Sequence, residues 1–169
     1  MLEIFNNLRP FFEDCYRRIS VREYAKIISV SPPTASSLLN AYLKSNLLIK
    51  EIERNYIFFH ANSKEKQFID LSRIYWSIRL GNFLHYLEKE LVPSAIVLFG
   101  SLSKGETKSD SDLDLAIFAN KKNLNIKKYE EELERRFQIF WFKSTGDVKN
   151  KELMNNILNG YLLKGRLSL

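Results

Sequence analysis

The chain has 169 residues, 45% hydrophobic and 27% charged, which places it among soluble globular proteins and makes it one domain or two small ones. One cysteine, Cys15, excludes an internal disulfide framework, and set among Phe11, Phe12 and Tyr16 it reads as a small core residue. No apolar run is long enough to span a bilayer and no basic-apolar-small leader opens the chain, so a cytoplasmic location without membrane contact is expected.

The net charge of +6 is divided evenly, with 13 Lys+Arg against 10 Asp+Glu in residues 1–92 and the same numbers in 93–169. Such a diffuse excess favours polyanionic partners, nucleotides or nucleic acid. Apolar residues at 2, 4, 5, 8, 11, 12, 15 and 16 predict a helix over 2–18, with Pro10 placing an irregularity in its middle. Ser20-Val-Arg-Glu23 has the form of a capping box, in which hydroxyl and carboxylate satisfy orphan amides reciprocally, and predicts a second helix to about residue 29. Ser31-Pro32 supplies another N-cap with proline at the first helical position, and Ala35, Leu38, Leu39, Tyr42 and Leu43 form the apolar face of a third helix. Residues 47–52 and 56–60 flank a turn at 53–55 and read as a hairpin.

That order of elements resembles the winged helix-turn-helix, a DNA-binding module, over residues 20–60 of a domain expected at 1–62. The resemblance implies that the helix over 33–44 enters the major groove of double-stranded DNA and that the hairpin is the wing. Thr34, Ser36, Ser37 and Asn40 would then face base edges, Arg22, Lys26, Lys50 and Arg54 would hold phosphates, and Lys44 at the end of the helix would also touch the DNA. The same helix carries no arginine, the commonest reader of guanine, so a dimerisation or protein-binding unit stays open. A reader of palindromic DNA would itself usually be a homodimer. His60 and His85 stand alone, without a partner at metal-ligand spacing, and read as structural.

Over 63–91, Phe68, Leu71, Ile74, Tyr75, Ile78, Leu84, Leu87 and Leu91 recur at three and four residues, which predicts one long connecting helix, or two meeting at Gly81-Asn82, within a connector at 63–92. The aromatic stripe of Phe68, Tyr75, Trp76 and Phe83 is either core, a dimer surface or a base-stacking platform.

Residues 94–119 carry the chemistry. An apolar strand over 95–99 ends in Gly100-Ser101, a polar loop with Lys104, Gly105 and Lys108 follows, and Asp112 and Asp114 open a second apolar strand. Two residues apart on a strand, these carboxylates share one side while Leu113 and Leu115 face a core. Side by side they repel unless a cation sits between them, and Mg2+ suits so small a set of oxygen ligands because water and substrate phosphates complete its octahedron. Gly100 lets the backbone approach a ligand, and Ser101 offers a hydroxyl and an N–H to a phosphate. The bland alternative is a solvated acidic cluster at a strand mouth.

Residues 99–115 resemble the nucleotidyltransferase superfamily that includes DNA polymerase beta, kanamycin nucleotidyltransferase and the minimal nucleotidyltransferases of prokaryotes. The shared pattern is an apolar strand, Gly100-Ser101, Gly105 in the loop, then Ser111-Asp112-Leu113-Asp114. The resemblance implies an α+β fold, with a small mixed sheet flanked by helices over 93–169. It implies Asp112 and Asp114 as catalytic Mg2+ ligands, and Gly100, Ser101, Lys104 and Ser111 at an NTP, ATP being the expected one. Downstream, residues 129–137 read as a helix, 138–143 as a strand and 151–158 as a last helix. The superfamily's third carboxylate belongs on that strand, which holds no Asp or Glu; Gln138 or Phe140 stands there, and Glu134 or Asp147 would substitute only in a shifted register. Two functions follow. One is a Mg2+-dependent enzyme moving a nucleoside monophosphate from an NTP to a hydroxyl; the other is a weak or inactive nucleotide-binding regulator, or an antitoxin-like partner of a HEPN-type toxin.

Overall fold

The computed structural model describes residues 2–168 and divides into two compact units, one reaching to Tyr75 and including Gly105–Ser109, the other comprising Trp76–Lys104 and the chain from Asp110 onward. Positions 1 and 169 of the expected domain bounds lie outside the described residues.

In the first unit, α1 (Glu3–Glu13) buries Phe5, Leu8, Phe11 and Phe12 along one stripe. It stops at Glu13 instead of residue 18 because the Asp14 carboxylate accepts the Tyr16 N–H at 3.0 Å, an Asx turn that competes with the helix. The short β1 (Ile19–Ser20) leads into α2 (Val21–Ile27), where Ser20 Oγ accepts the Glu23 N–H at 3.3 Å. The Glu23 carboxylate pairs with Arg17 at 2.6 Å and so is used there, not in the reciprocal half of the capping box. Ser31 caps α3 (Pro32–Lys44), which buries Ala35 and Leu39. The hairpin forms as β2 (Leu48–Glu53) and β3 (Tyr56–Ala61), antiparallel from Leu48 opposite Ala61 to Glu53 opposite Tyr56, and β1 adds to β3 through Ile19 opposite Phe59. Phe68 and Tyr75 of α4 (Lys66–Arg79) each bring a ring to 5.2 Å from that of Phe12. Gly105–Ser109 joins this unit through Thr107, fully buried, whose carbonyl accepts the Cys15 N–H at 2.8 Å. Cys15 is buried as expected of a core residue, and burial pushes its thiol up to about 11.

The second unit opens with the end of α4 and with α5 (Gly81–Glu90), so the expected connector is two helices. Then come β4 (Ala95–Phe99), the one-turn α6 (Gly100–Lys104), β5 (Leu113–Phe118), α7 (Lys127–Leu133), β6 (Phe137–Phe142), α8 (Lys151–Leu158) and β7 (Tyr161–Gly165). The sheet order is β6-β5-β4-β7, with β4 antiparallel to both neighbours and β5 parallel to β6 across the α7 crossover. The helix expected over 129–137 closes early because Glu134 takes a left-handed φ of 55° and the chain then extends into β6.

Alternation splits the sheet into two faces. Val97, Phe99, Ala116 and Phe118 pack with Ile157 and Met154 of α8 and with Phe140 and Phe142. On the other face Phe137 stacks on Phe83 of α5 at 4.4 Å, and Tyr129 of α7 lies 5.0 Å from the same ring. Phe68, Tyr75, Trp76 and Phe83 are each no more than 1% exposed, which makes the aromatic stripe core and removes the base-stacking option. No helix among the described residues is long and apolar enough to cross a membrane.

Phe83 joins α5, α7 and β6, so Phe83→Ala should cost about 3–5 kcal/mol. Both tryptophans, Trp76 and Trp141, belong to this unit, so urea unfolding followed by tryptophan fluorescence measures the loss. A shift below about 1 kcal/mol, the range of a surface change, would contradict the packing described.

Candidate functional site

Where β4 ends, the chain turns into α6 through Gly100 at φ +71°. A Cβ at this position would lie 2.0 Å from Asp114 Oδ2. Glycine is therefore required twice, by the left-handed backbone and by the carboxylate lying against it. Strand register makes the contact: Phe99 stands opposite Asp114 in the β4–β5 ladder. In the parallel ladder on the other side Gln138 is the partner of Asp114, and Phe140 the partner of Ala116. Registered residues share a face. Phe140 also sets its ring 5.3 Å from Phe99 and packs on the core. Of the two candidates for the third-acid position, the exposed Gln138 is thus the one beside Asp114.

Asp114 is partly buried, and burial first, the Asp112 charge second, push its carboxyl up from 3.8 to about 6. Asp112 is exposed and stands one residue before β5, so it is held by loop backbone, not by the ladder that holds Asp114. The Ser111 carbonyl on one side of it accepts from Arg135 Nη1 at 3.3 Å, and the Leu113 N–H on the other side donates to the Arg136 carbonyl at 2.8 Å. Ser101 follows Gly100 on α6 and is partly exposed, and the buried Ser103 donates its hydroxyl to the Gly100 carbonyl at 2.9 Å. Lys104 Nζ donates to Asn156 Oδ1 of α8 at 3.1 Å, so its ammonium is anchored at the end of the one-turn helix.

Neither alternative acid replaces Gln138. Asp147 lies past the opposite end of β6, where its carboxylate accepts the Lys143 and Ser144 N–H groups, each at 3.0 Å, and these bonds hold its pKa below the usual carboxylate range. Glu134 closes α7, whose Tyr129 packs with Phe83 and hence on the face opposite Gln138.

Among the described residues no group of three or more His, Cys, Asp or Glu is placed to hold a metal ion. The protein's donor set at this mouth is two carboxylates, one of them partly desolvated and seated where the Cβ of any residue other than Gly100 would stand. That set fits Mg2+, which takes one or two carboxylates and leaves its other positions to water and phosphate; it does not fit an all-protein cage.

Residues 82–166 match the family described as Polymerase beta, Nucleotidyltransferase, and the chain belongs to this family. Comparison with curated proteins and with solved structures gives no significant match.

In the first unit, Thr34, Ser37, Asn40 and Lys44 lie on the exposed side of α3, while Ser36 is partly buried. Several are already engaged locally: the Thr34 hydroxyl with Ser31 at 2.8 Å, and Asn40 Nδ2 with the Ser36 carbonyl at 2.8 Å. Lys50 on β2 and Arg54 in the hairpin turn are exposed. Sequence reasoning missed Arg18, which pairs with Glu51 at 2.9 Å and Glu53 at 2.7 Å and lies 4.6 Å from the Phe58 ring, so both acids of β2 are held by one guanidinium placed just before β1. It also missed Arg135, buried beneath the Asp112 loop, because nothing in the spacing sets it apart from the flanking charges.

The raised Asp114 pKa fixes a pH dependence. Between about pH 4 and 6 the folded chain holds a proton there that the unfolded chain has lost, so the stability of the wild type falls through that window and is level above it. Asp114→Asn cannot ionise. Its Tm should exceed the wild-type value by roughly 2–4 °C at pH 8, the shift about 1 kcal/mol gives in a chain of this size, a figure discounted because solvent still reaches the carboxylate. Scanning calorimetry should find the gain gone at pH 4; the same gain at both pH values would mean that the carboxyl titrates normally.

Proposed function

We propose that the chain is a nucleotide-binding nucleotidyltransferase that uses Mg2+ and an NTP, ATP by expectation, and that carries a DNA-binding winged helix at its N-terminal side. The observation that carries the reading is Asp114 lying against Gly100 at the end of β4, with Asp112 beside it, in a chain of this family. Asp112 and Asp114 hold the cation, Gly100 makes room for the Asp114 carboxylate while its bare backbone stays within reach of the nucleotide, and the Ser101 N–H and hydroxyl with the Lys104 ammonium meet phosphate oxygens. Mg2+, when bound, supplies charge neutralisation on the phosphates during transfer of the nucleoside monophosphate to a hydroxyl.

Gln138 limits that chemistry. An amide at the position beside Asp114 can orient an acceptor hydroxyl by hydrogen bonding, yet it takes up no proton and adds no negative charge. A positioned general base contributes about 10²- to 10⁴-fold, so transfer is slow or reserved for an acceptor that is already activated. The same residue favours the second reading, in which the site binds Mg-NTP as a signal and the protein acts as a regulator or an antitoxin-like partner of a HEPN-type toxin.

For the first unit, helix, strand, capped helix, proline-opened helix and hairpin support the winged-helix reading. The polar face of α3 would enter the major groove, with Lys44, Lys50 and Arg54 on phosphates and a homodimer as the usual state on palindromic DNA.

Titration with a fluorescent ATP analogue in Mg2+ tests the site directly. Asp112→Asn and Asp114→Asn should each weaken binding at least about tenfold, in line with the loss of a metal ligand or its support; affinities equal to wild type would remove the acidic pair from the site. Wild type should form little labelled product from labelled ATP, and Gln138→Asp should form more. Rapid wild-type transfer that Gln138→Asp leaves unchanged would contradict the limiting role given to the amide.

DNA binding has its own signature. In a plot of log affinity against log salt, Lys50→Ala and Arg54→Ala should each reduce the slope by about one, as loss of one phosphate contact does, and weaken all sequences alike. Absence of a mobility shift at low salt for any duplex would leave the dimerisation reading of this unit.

A further inference from the structure

Arg135 is 8% exposed, and a guanidinium taken that far out of water is rarely found without a bonded task. Its place is fixed from several directions. Glu134 ends α7 in a left-handed conformation and turns the chain inward, the Arg135 N–H donates to the Glu130 carbonyl at 3.1 Å, and the Phe137 N–H donates to Glu130 Oε1 at 2.8 Å. The guanidinium carbon lies over the ring of Trp76, itself fully buried, at 5.6 Å from its centre, which is within cation–π range. From that seat Nη1 donates to the Ser111 carbonyl at 3.3 Å, and the next residue's carbonyl accepts the Leu113 N–H at 2.8 Å.

The dipeptide Arg135-Arg136 therefore grips the backbone on both sides of Asp112. Asp112 needs such a grip in a way that Asp114 does not. Asp114 sits within β5, between two ladders and against Gly100. Asp112 lies outside the strand and is exposed, with neither a hydrogen bond nor an ion pair to its carboxylate among the described residues, so the place from which that carboxylate extends is set by the loop backbone alone. Resting on the reading of Asp112 and Asp114 as cation ligands, we infer that Arg135 is a positioning residue of the metal-nucleotide site, holding the Ser111 carbonyl so that the Asp112 carboxylate is set beside Asp114 before the cation arrives. A hydrophobic side chain would fill the same space near Trp76 at lower desolvation cost but could not donate to the Ser111 carbonyl.

Removing a residue that orients a ligand typically costs about 10- to 100-fold in metal affinity. In the full-length protein, the Mg2+ concentration giving half-maximal binding of a fluorescent ATP analogue should rise by about that factor in Arg135→Met, which keeps the stem against Trp76 and loses the donor. The Tm measured in EDTA should stay within a few degrees of wild type. Arg135→Lys, which keeps the charge and an ammonium donor but loses the planar fork, should fall between the two. The double variant Asp112→Asn/Arg135→Met should be no worse than Asp112→Asn alone, because a residue acting only through Asp112 has nothing left to position.

A Mg2+ dependence in Arg135→Met equal to wild type overturns the inference. So do additive losses in the double variant, or a weakening that appears only together with a collapse of the metal-free Tm, which would make Arg135 a core residue. Should Arg135→Met fail to fold, Arg135→Lys carries the test, and an unchanged Mg2+ dependence in it is then the overturning result. If the wild type itself shows no Mg2+-dependent binding, the cation-site reading fails instead, a result separate from any that bears on Arg135.

Discussion

The contact between Asp114 and the bare Cα of Gly100 is the constraint on which the second unit is arranged. A carboxylate oxygen occupies the place where any other residue would put its Cβ. This needs β4 and β5 paired so that Phe99 meets Asp114, a left-handed turn immediately after β4, and both strands buried firmly enough to keep their register. All five residues of β4 are buried, and so is every residue of β5 except Asp114. A slip of one residue would send Asp114 to the opposite face and place Leu113 or Leu115 in the mouth, so the hydrophobic core enforces the site's geometry.

The cost of that geometry is electrostatic. Asp114 is partly desolvated with a like charge nearby, and both effects oppose ionisation. Under the proposed function a cation reverses the sign of the problem, because it turns two mutually repelling carboxylates into ligands and offsets the charge that burial leaves poorly solvated. At the same mouth Gln138 supplies no further charge beside Asp114. Under the proposed function, occupancy of the site is then its stronger property and turnover the weaker one.

Much of this was legible in the sequence because the decisive contacts are local or strictly periodic. Gly100-Ser101 after an apolar run and Asp112-Leu113-Asp114 before another announce two strands and a mouth between them, and the last helix appears where its spacing places it, at Lys151–Leu158. The errors have specific causes. Asp14 diverts a helical pattern into an Asx turn, Glu134 stops α7 through a left-handed conformation its residue type does not demand, and β7 has only Tyr161, Leu162 and Leu163 before Lys164 and Gly165, too little pattern to mark a strand. Position 138 could be narrowed only to Gln138 or Phe140, since the choice depends on pairing with a strand more than twenty residues away; the ladder and the Phe99–Phe140 ring contact settle it. Arg135 and Arg18 were invisible for a related reason. Each looks like one charge among several until the fold carries it to a carbonyl or to a pair of acids distant in the chain.

The most direct test of the cation site is a crystal structure of the full-length protein grown with Mn2+, which stands in for Mg2+ and scatters anomalously, and a non-hydrolysable ATP analogue. The account predicts one strong anomalous peak within about 2–2.3 Å of oxygens from both Asp112 and Asp114, the range for a hard cation on carboxylates, with the triphosphate over Gly100-Ser101. A peak bound elsewhere, or nucleotide held away from the end of β4 with the two aspartates turned to solvent, would contradict it.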